Sequence, residues 1–143
     1  GAHPDFNAVG LNFHAETGKI LQLDELFWFG GNMPLQGEKI DWEDYRQKVF
    51  APEIVKIFRS LYPEHMKTPT ENDDDGCDYS DEQVWDYPNW HFNEKGLHLG
   101  AYFARAARSC DDPEWSVIPY SVLKSYLRPG APIRLPEAGA QKP

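Results

Sequence analysis

A chain of 143 residues with 41% hydrophobic and 14% aromatic side chains has the length and apolar content for one folded domain, which excludes a wholly disordered segment. Its formal net charge of -9, from 23 acidic and 14 basic residues, excludes nucleic acid as the main partner, because phosphate binding needs a basic stripe. No apolar run approaches a membrane span, and the charge leaves a basic protein or a cation as partners drawn by long-range attraction.

The first elements lie between residues 9 and 29. Val9, Leu11 and Phe13 alternate with Gly10, Asn12 and His14, which predicts a strand. Gly18 closes a turn, and Ile20-Leu21-Gln22-Leu23 forms a second extended segment. Asp24 is placed to cap a helical turn that Gly30-Gly31-Asn32-Met33-Pro34 ends. Further on, Asp41 is a candidate N-cap for a helix from Trp42, with Glu43 and Asp44 where the helix dipole favours negative charge. Pro52 lacks an amide donor, so the spacing predicts a kink there, or a fresh helix with Pro52 in its first turn. Ile54, Ile57, Phe58 and Leu61 continue a core face that Pro63 stops.

Residues 68–81 are polar and acidic and read as a loop. Then Trp90-His91-Phe92 leads into a turn at Asn93-Glu94-Lys95-Gly96, where Gly96 is expected to supply a positive φ. Leu97, Leu99, Ala101 and Phe103 alternate with His98, Gly100 and Tyr102, the pattern of a half-buried strand. A last strand runs into Ile118, breaks at Pro119-Tyr120, and gives way to a short helix that Ser121 caps, with Val122, Leu123, Tyr126 and Leu127 on its apolar side. Residues 1–135 read as one domain and 136–143 as a flexible tail.

The acidic loop is the sharpest candidate for chemistry. Glu71, Asp73, Asp75, Gly76 and Glu82 fall on the first, third, fifth, sixth and twelfth positions of an EF-hand-type calcium loop. Glu71, Asp73, Asp75 and Glu82 are therefore candidate calcium ligands, although Glu stands first instead of Asp and Asp78 takes a position that is usually apolar. Trp85, Tyr87, Trp90 and Trp115 are candidates to line a groove for a sugar or a protein partner. His91 and His98 are placed to face each other across the hairpin, as two zinc ligands would. Cys77 and Cys110 are the only cysteines; acidic neighbours raise a thiol pKa, which favours a disulfide over a nucleophile. No GxSxG elbow, phosphate loop or HExxH motif is present, so no catalytic residue is assigned.

Four stretches in order resemble the DUF3298 domain of extracytoplasmic bacterial proteins. Gly1-Ala2-His3-Pro4 is similar to the family's G-G-A-H-P entry. Leu11-Asn12-Phe13-His14, Thr17-Gly18-Lys19 and Leu23-Asp24-Glu25-Leu26-Phe27 are similar to its N-x-D-x-x-T-G-K and L-x-D-L-F run. Phe92-Asn93-Glu94-Lys95-Gly96-Leu97 resembles its hairpin, and Val117-Ile118-Pro119-Tyr120-Ser121-Val122-Leu123 its I-P-Y-x-x-L close. His14 stands where the family often has Asp, and residues 104–110 depart from its tyrosine- and proline-rich segment.

The resemblance implies an α+β fold, an antiparallel sheet with two to three helices packed on one face, and a periplasmic or otherwise extracytoplasmic location. It strengthens the disulfide reading, because that compartment is oxidising. The family's strands ahead of the G-A-H-P run are missing, so a fragment or trimmed domain is expected, with an edge strand that is open or filled by another chain. The function it implies is non-catalytic binding or sensing of a basic protein such as lysozyme, or of cell-wall glycan. The rival expectations are an accessory domain or hydrolase acting on peptidoglycan, and a structural domain with a calcium-stabilised acidic loop.

Overall fold

In a computed structural model, strands within residues 90–99 and 117–119 form the sheet that organises one part of the chain. The structure describes residues 12–13, 20–30, 33–35, 37–68, 77–86, 88–103, 110–131 and 133–136. The fold is α+β, with an antiparallel three-stranded sheet and short helices. No described helix is long and apolar enough to cross a membrane. The chain divides into two units, one of Gly1–Trp28, Asn89–Leu99 and Glu114–Pro143, the other of Phe29–Pro88 and Gly100–Pro113.

In the first unit, β1 (Asn12–Phe13) pairs antiparallel with β2 (Ile20–Leu21), and the helical turn α1 (Leu23–Leu26) follows. The N-cap of α1 is Gln22 rather than Asp24, and the Glu25 carboxylate accepts from the Gln22 amide at 3.4 Å. The main sheet has the order β3 (Trp90–Phe92), β4 (Gly96–Leu99), β5 (Val117–Pro119). Its register pairs Trp90 with Leu99, His91 with His98 and Phe92 with Leu97, then Leu97 with Ile118 and His98 with Val117.

The turn between β3 and β4 closes through Asn93, whose Oδ1 accepts from the amides of Lys95 at 2.8 Å and Gly96 at 3.0 Å. Gly96 is not in the left-handed region, contrary to the expectation. Its place is fixed by space: a Cβ there would overlap the Ile118 carbonyl oxygen and stand 2.8 Å from its carbon. All four residues of β4 are buried, so the strand is central and covered on both faces, not half-buried.

Helix α4 (Tyr120–Leu123) packs on β4 and β5. It begins one residue before Ser121; Pro119 occupies the N-cap, and Ser121 is an exposed helical residue. Pro119 is in extended conformation with a fixed φ, which sets the helix start without a capping hydroxyl. The following residues are stitched back to α1. Phe27 bridges Leu127, the Trp28 amide donates to Tyr126, and the Arg128 guanidinium donates to the Asp24 carbonyl at 2.8 Å.

In the second unit, α2 (Trp42–Tyr45) starts where the Asp41 carboxylate accepts from the Asp44 amide at 3.1 Å, as expected. A π-helical turn, Arg46–Phe50, connects it to α3 (Ala51–Leu61). Of the two expectations for Pro52, the helix with Pro52 in its first turn is the one found. The ring sits in the first turn of α3, and the wider π turn before it absorbs the residue whose amide is missing. Ala51, Ile54, Val55, Ile57 and Phe58 form the buried face of α3. Tyr62, at the C-cap, leaves helical geometry ahead of Pro63.

Candidate functional site

The Cys77–Cys110 disulfide ties two segments of the second unit together. It joins positions 33 residues apart, with 5.6 Å between the Cα atoms. Cys110 is buried, and its carbonyl accepts from the Tyr79 hydroxyl at 2.7 Å. Tyr79 in turn stands edge-on to Phe103 at 5.4 Å, and its carbonyl accepts from Trp85 Nε1 at 2.8 Å. Trp85 closes the cluster against Phe58, with ring centres 4.9 Å apart. Tyr79 is thus the hub of this region. An aromatic two residues beyond a cysteine carries no motif, so the sequence alone gave no signal for it.

The segment after Cys110 is held as tightly. Asp111 Oδ1 accepts from the Phe103 amide at 2.9 Å, and the Asp112 amide donates to the Ala101 carbonyl at 3.3 Å. Asp112 adopts φ +52, and its carboxylate occupies the space where Gly100 has no side chain. On the other arm of the disulfide, Asp78 accepts from both the amide and the hydroxyl of Ser80, while Asp81 Oδ1 accepts from the Gln83 amide at 3.0 Å. These carboxylates are engaged in shaping their own loops.

Of the four candidate calcium ligands, Glu71, Asp73 and Asp75 lie outside the described residues. Glu82 opens a 3-10 turn, Glu82–Trp85, and is exposed. That single turn stands where an EF-hand has its exiting helix. Of the four candidate groove aromatics, Tyr87 lies outside the described residues. Trp85 is 0% exposed and Trp90 6%, which makes both packing residues of their units. Trp115 alone among the described members presents part of its surface. Trp85 and Tyr87 belong to the second unit, and Trp90 and Trp115 to the first.

The histidines of the hairpin do meet. His91 and His98 are register partners on β3 and β4, with ring centres 4.8 Å apart and ring planes inclined by 31°. His98 is buried and His91 half-buried. Ser116 Oγ donates to the Leu99 carbonyl at 2.6 Å and stands 3.5 Å from His98 Nε2. Nearby, the Tyr120 hydroxyl donates to the Asn93 carbonyl at 2.6 Å, and burial raises its pKa above the ordinary phenol value.

A glycosidase pair needs one carboxylic acid kept protonated by a buried setting. Among the described residues no Asp or Glu is buried. Comparison of the chain with protein-family models, with curated proteins and with solved structures finds no match.

Proposed function

We propose that this chain is a binding or sensing domain of the bacterial envelope, similar to the DUF3298 domain, and that its partner is a basic protein of the lysozyme type. The observation that carries the reading is the Cys77–Cys110 disulfide, because such bonds persist in oxidising compartments and are rare in the cytosol. It supports an extracytoplasmic location. The four ordered motifs from Gly1 to Leu123 support the family, and they are its whole support.

The net charge of -9 favours a cationic partner, since complementary potentials steer encounter and raise the association rate. Trp85 and Trp90 are buried, so these two of the four candidate aromatics offer no face to a glycan. The carboxylates that flank the disulfide serve local turns, which fits a scaffold for recognition better than an acid and base pair.

The test is retention of the disulfide-bonded chain on immobilised lysozyme, beside a sedimentation assay with peptidoglycan. Retention that weakens as salt rises is the expected result, since screening shortens electrostatic reach. Sedimentation with peptidoglycan alone transfers the reading to glycan. Passage through both assays with the far-UV circular dichroism of a folded chain removes it.

A further inference from the structure

We propose that residues 33–44 form the surface on which a basic protein docks, with Leu35 and Trp42 as its apolar anchors. The inference rests on the reading of a cationic partner and assigns the part of the chain that meets it.

Two distributions coincide on the second unit. Among the described residues, the large apolar side chains that stand exposed are Met33, Leu35, Trp42 and Tyr102, and all four belong to that unit. The same unit carries 16 acidic and 8 basic residues, against 7 and 6 on the first, so 8 of the 9 net negative charges are its own. Apolar residues scattered singly over a surface are ordinary, but three of these four fall within residues 33–44.

Local contacts hold both anchors in place. The Glu38 amide donates to the Leu35 carbonyl at 3.0 Å, and the Leu35 amide donates to Glu38 Oε1 at 2.8 Å. Gly37 takes φ +83, the left-handed conformation that suits glycine in such a turn. Leu35 is therefore fixed at both backbone groups while its side chain is 78% exposed. Trp42 opens α2 behind the Asp41 cap, and its ring stands edge-on to Tyr45 at 6.0 Å. Tyr45 is itself buried, and its hydroxyl accepts from the Phe29 amide at 3.1 Å. The indole is thus braced against the core and still 45% exposed. Anchors already ordered lose little freedom on binding, and Trp is a frequent hot-spot residue.

Charge selects the occupant. Glu38, Asp41, Glu43 and Asp44 are exposed beside the anchors in the chain, and Lys39 is the one basic residue of the segment. Asp44 pairs with Lys48 at 2.8 Å, an exposed contact of small worth that a partner's Arg can replace. A second copy brings the same acidic rim, and an anionic lipid surface the same sign, so both are repelled. A protein with Lys or Arg around an apolar socket is complementary in both respects.

The experiment is surface plasmon resonance of the full disulfide-bonded chain over immobilised lysozyme, a basic protein, with Leu35→Ala, Trp42→Ala, Glu43→Gln and Glu94→Gln beside the parent. Leu35→Ala is the decisive variant, since it removes an exposed side chain and keeps the backbone bonds of the turn. It and Trp42→Ala should each weaken binding at least about tenfold, mainly through faster dissociation. Glu43→Gln should slow association and lower its salt dependence. Glu94→Gln, exposed on the first unit, should leave binding as it is. Parent binding that Leu35→Ala leaves intact, or that Glu94→Gln weakens as much as Glu43→Gln does, overturns the surface and spares the basic-partner reading. No binding by the parent overturns both. A dimer in gel filtration that Leu35→Ala dissolves gives the surface to a second copy and overturns the assignment as well.

Discussion

A methyl group added at Gly96 meets the backbone of Ile118 and Pro119, with the Ile118 carbonyl carbon 2.8 Å away and the Pro119 Cα 2.9 Å away. Neither neighbour is the free end of a side chain, so the strand itself has to move. Gly96→Ala should cost about 2–3 kcal/mol in urea unfolding, the range for overpacking against a fixed wall. A cost under half of that would show that β5 yields. The sequence singled out this glycine for its turn, whereas the requirement comes from a strand more than twenty positions away, which no local pattern encodes. Tyr120 gives a second test at this scale. Its hydroxyl donates to the Asn93 carbonyl, and burial raises its pKa above 10.0. The folded state therefore holds the phenol proton more tightly than the unfolded state does. That contribution is complete below the unfolded value and is lost as pH rises through the higher folded one. Tyr120→Phe should lower stability by about 1 kcal/mol near neutral pH, the usual worth of one such bond. It should also flatten the fall in stability expected above about pH 10 in the parent chain. Parallel alkaline profiles in the two proteins would refute the linkage.

At the scale of elements, the readable features were those whose cause is local. The Asp41 cap needs only one carboxylate and an amide three residues on, and Asp44 supplies it at 3.1 Å. Asp41→Ala should therefore cost about 1 kcal/mol by thermal unfolding, and Asp41→Asn should recover most of it, because the amide oxygen still accepts. Loss of equal size in both variants would point to the charge near the helix start rather than to the hydrogen bond. Pro52 was readable for the same reason, since its missing amide constrains its own turn. The elements misread from sequence had tertiary causes. His98 is polar and alternates with Leu97 and Leu99, yet its face is covered, so the period of two gave a half-buried strand where a central one exists. Ser121 carries the chemistry of a cap, but Pro119 and the end of β5 set the helix one residue earlier. Trp85 and Trp90 looked like a platform because large aromatics near a hairpin serve binding and core packing alike; only burial separates the two.

At the scale of the whole molecule, the disulfide is the covalent link between distant parts of the chain. Within the second unit, short hydrogen-bonded ties lie beside it. Tyr79, Asp111 and Asp112 each tie backbone to the arms of the bond. Closing a loop of this length restricts the unfolded chain by about 3–4 kcal/mol in the chain-entropy account. Reduction, or the double variant Cys77→Ala with Cys110→Ala, should lower the unfolding free energy by that amount. The loss should be uneven, because the ties are local. The amides of Tyr102, Phe103 and Asp112 depend on Val84, Asp111 and Ala101 and should exchange with solvent faster after reduction. The Leu99 amide, bonded to Ser116 in the other unit, should keep its protection. The first step is an intact mass of never-reduced material after alkylation. A chain that takes no label until it is reduced has the bond and supports export from the cytoplasm. Free alkylation of both thiols in native material would remove the bond, and with it the observation on which the envelope reading stands.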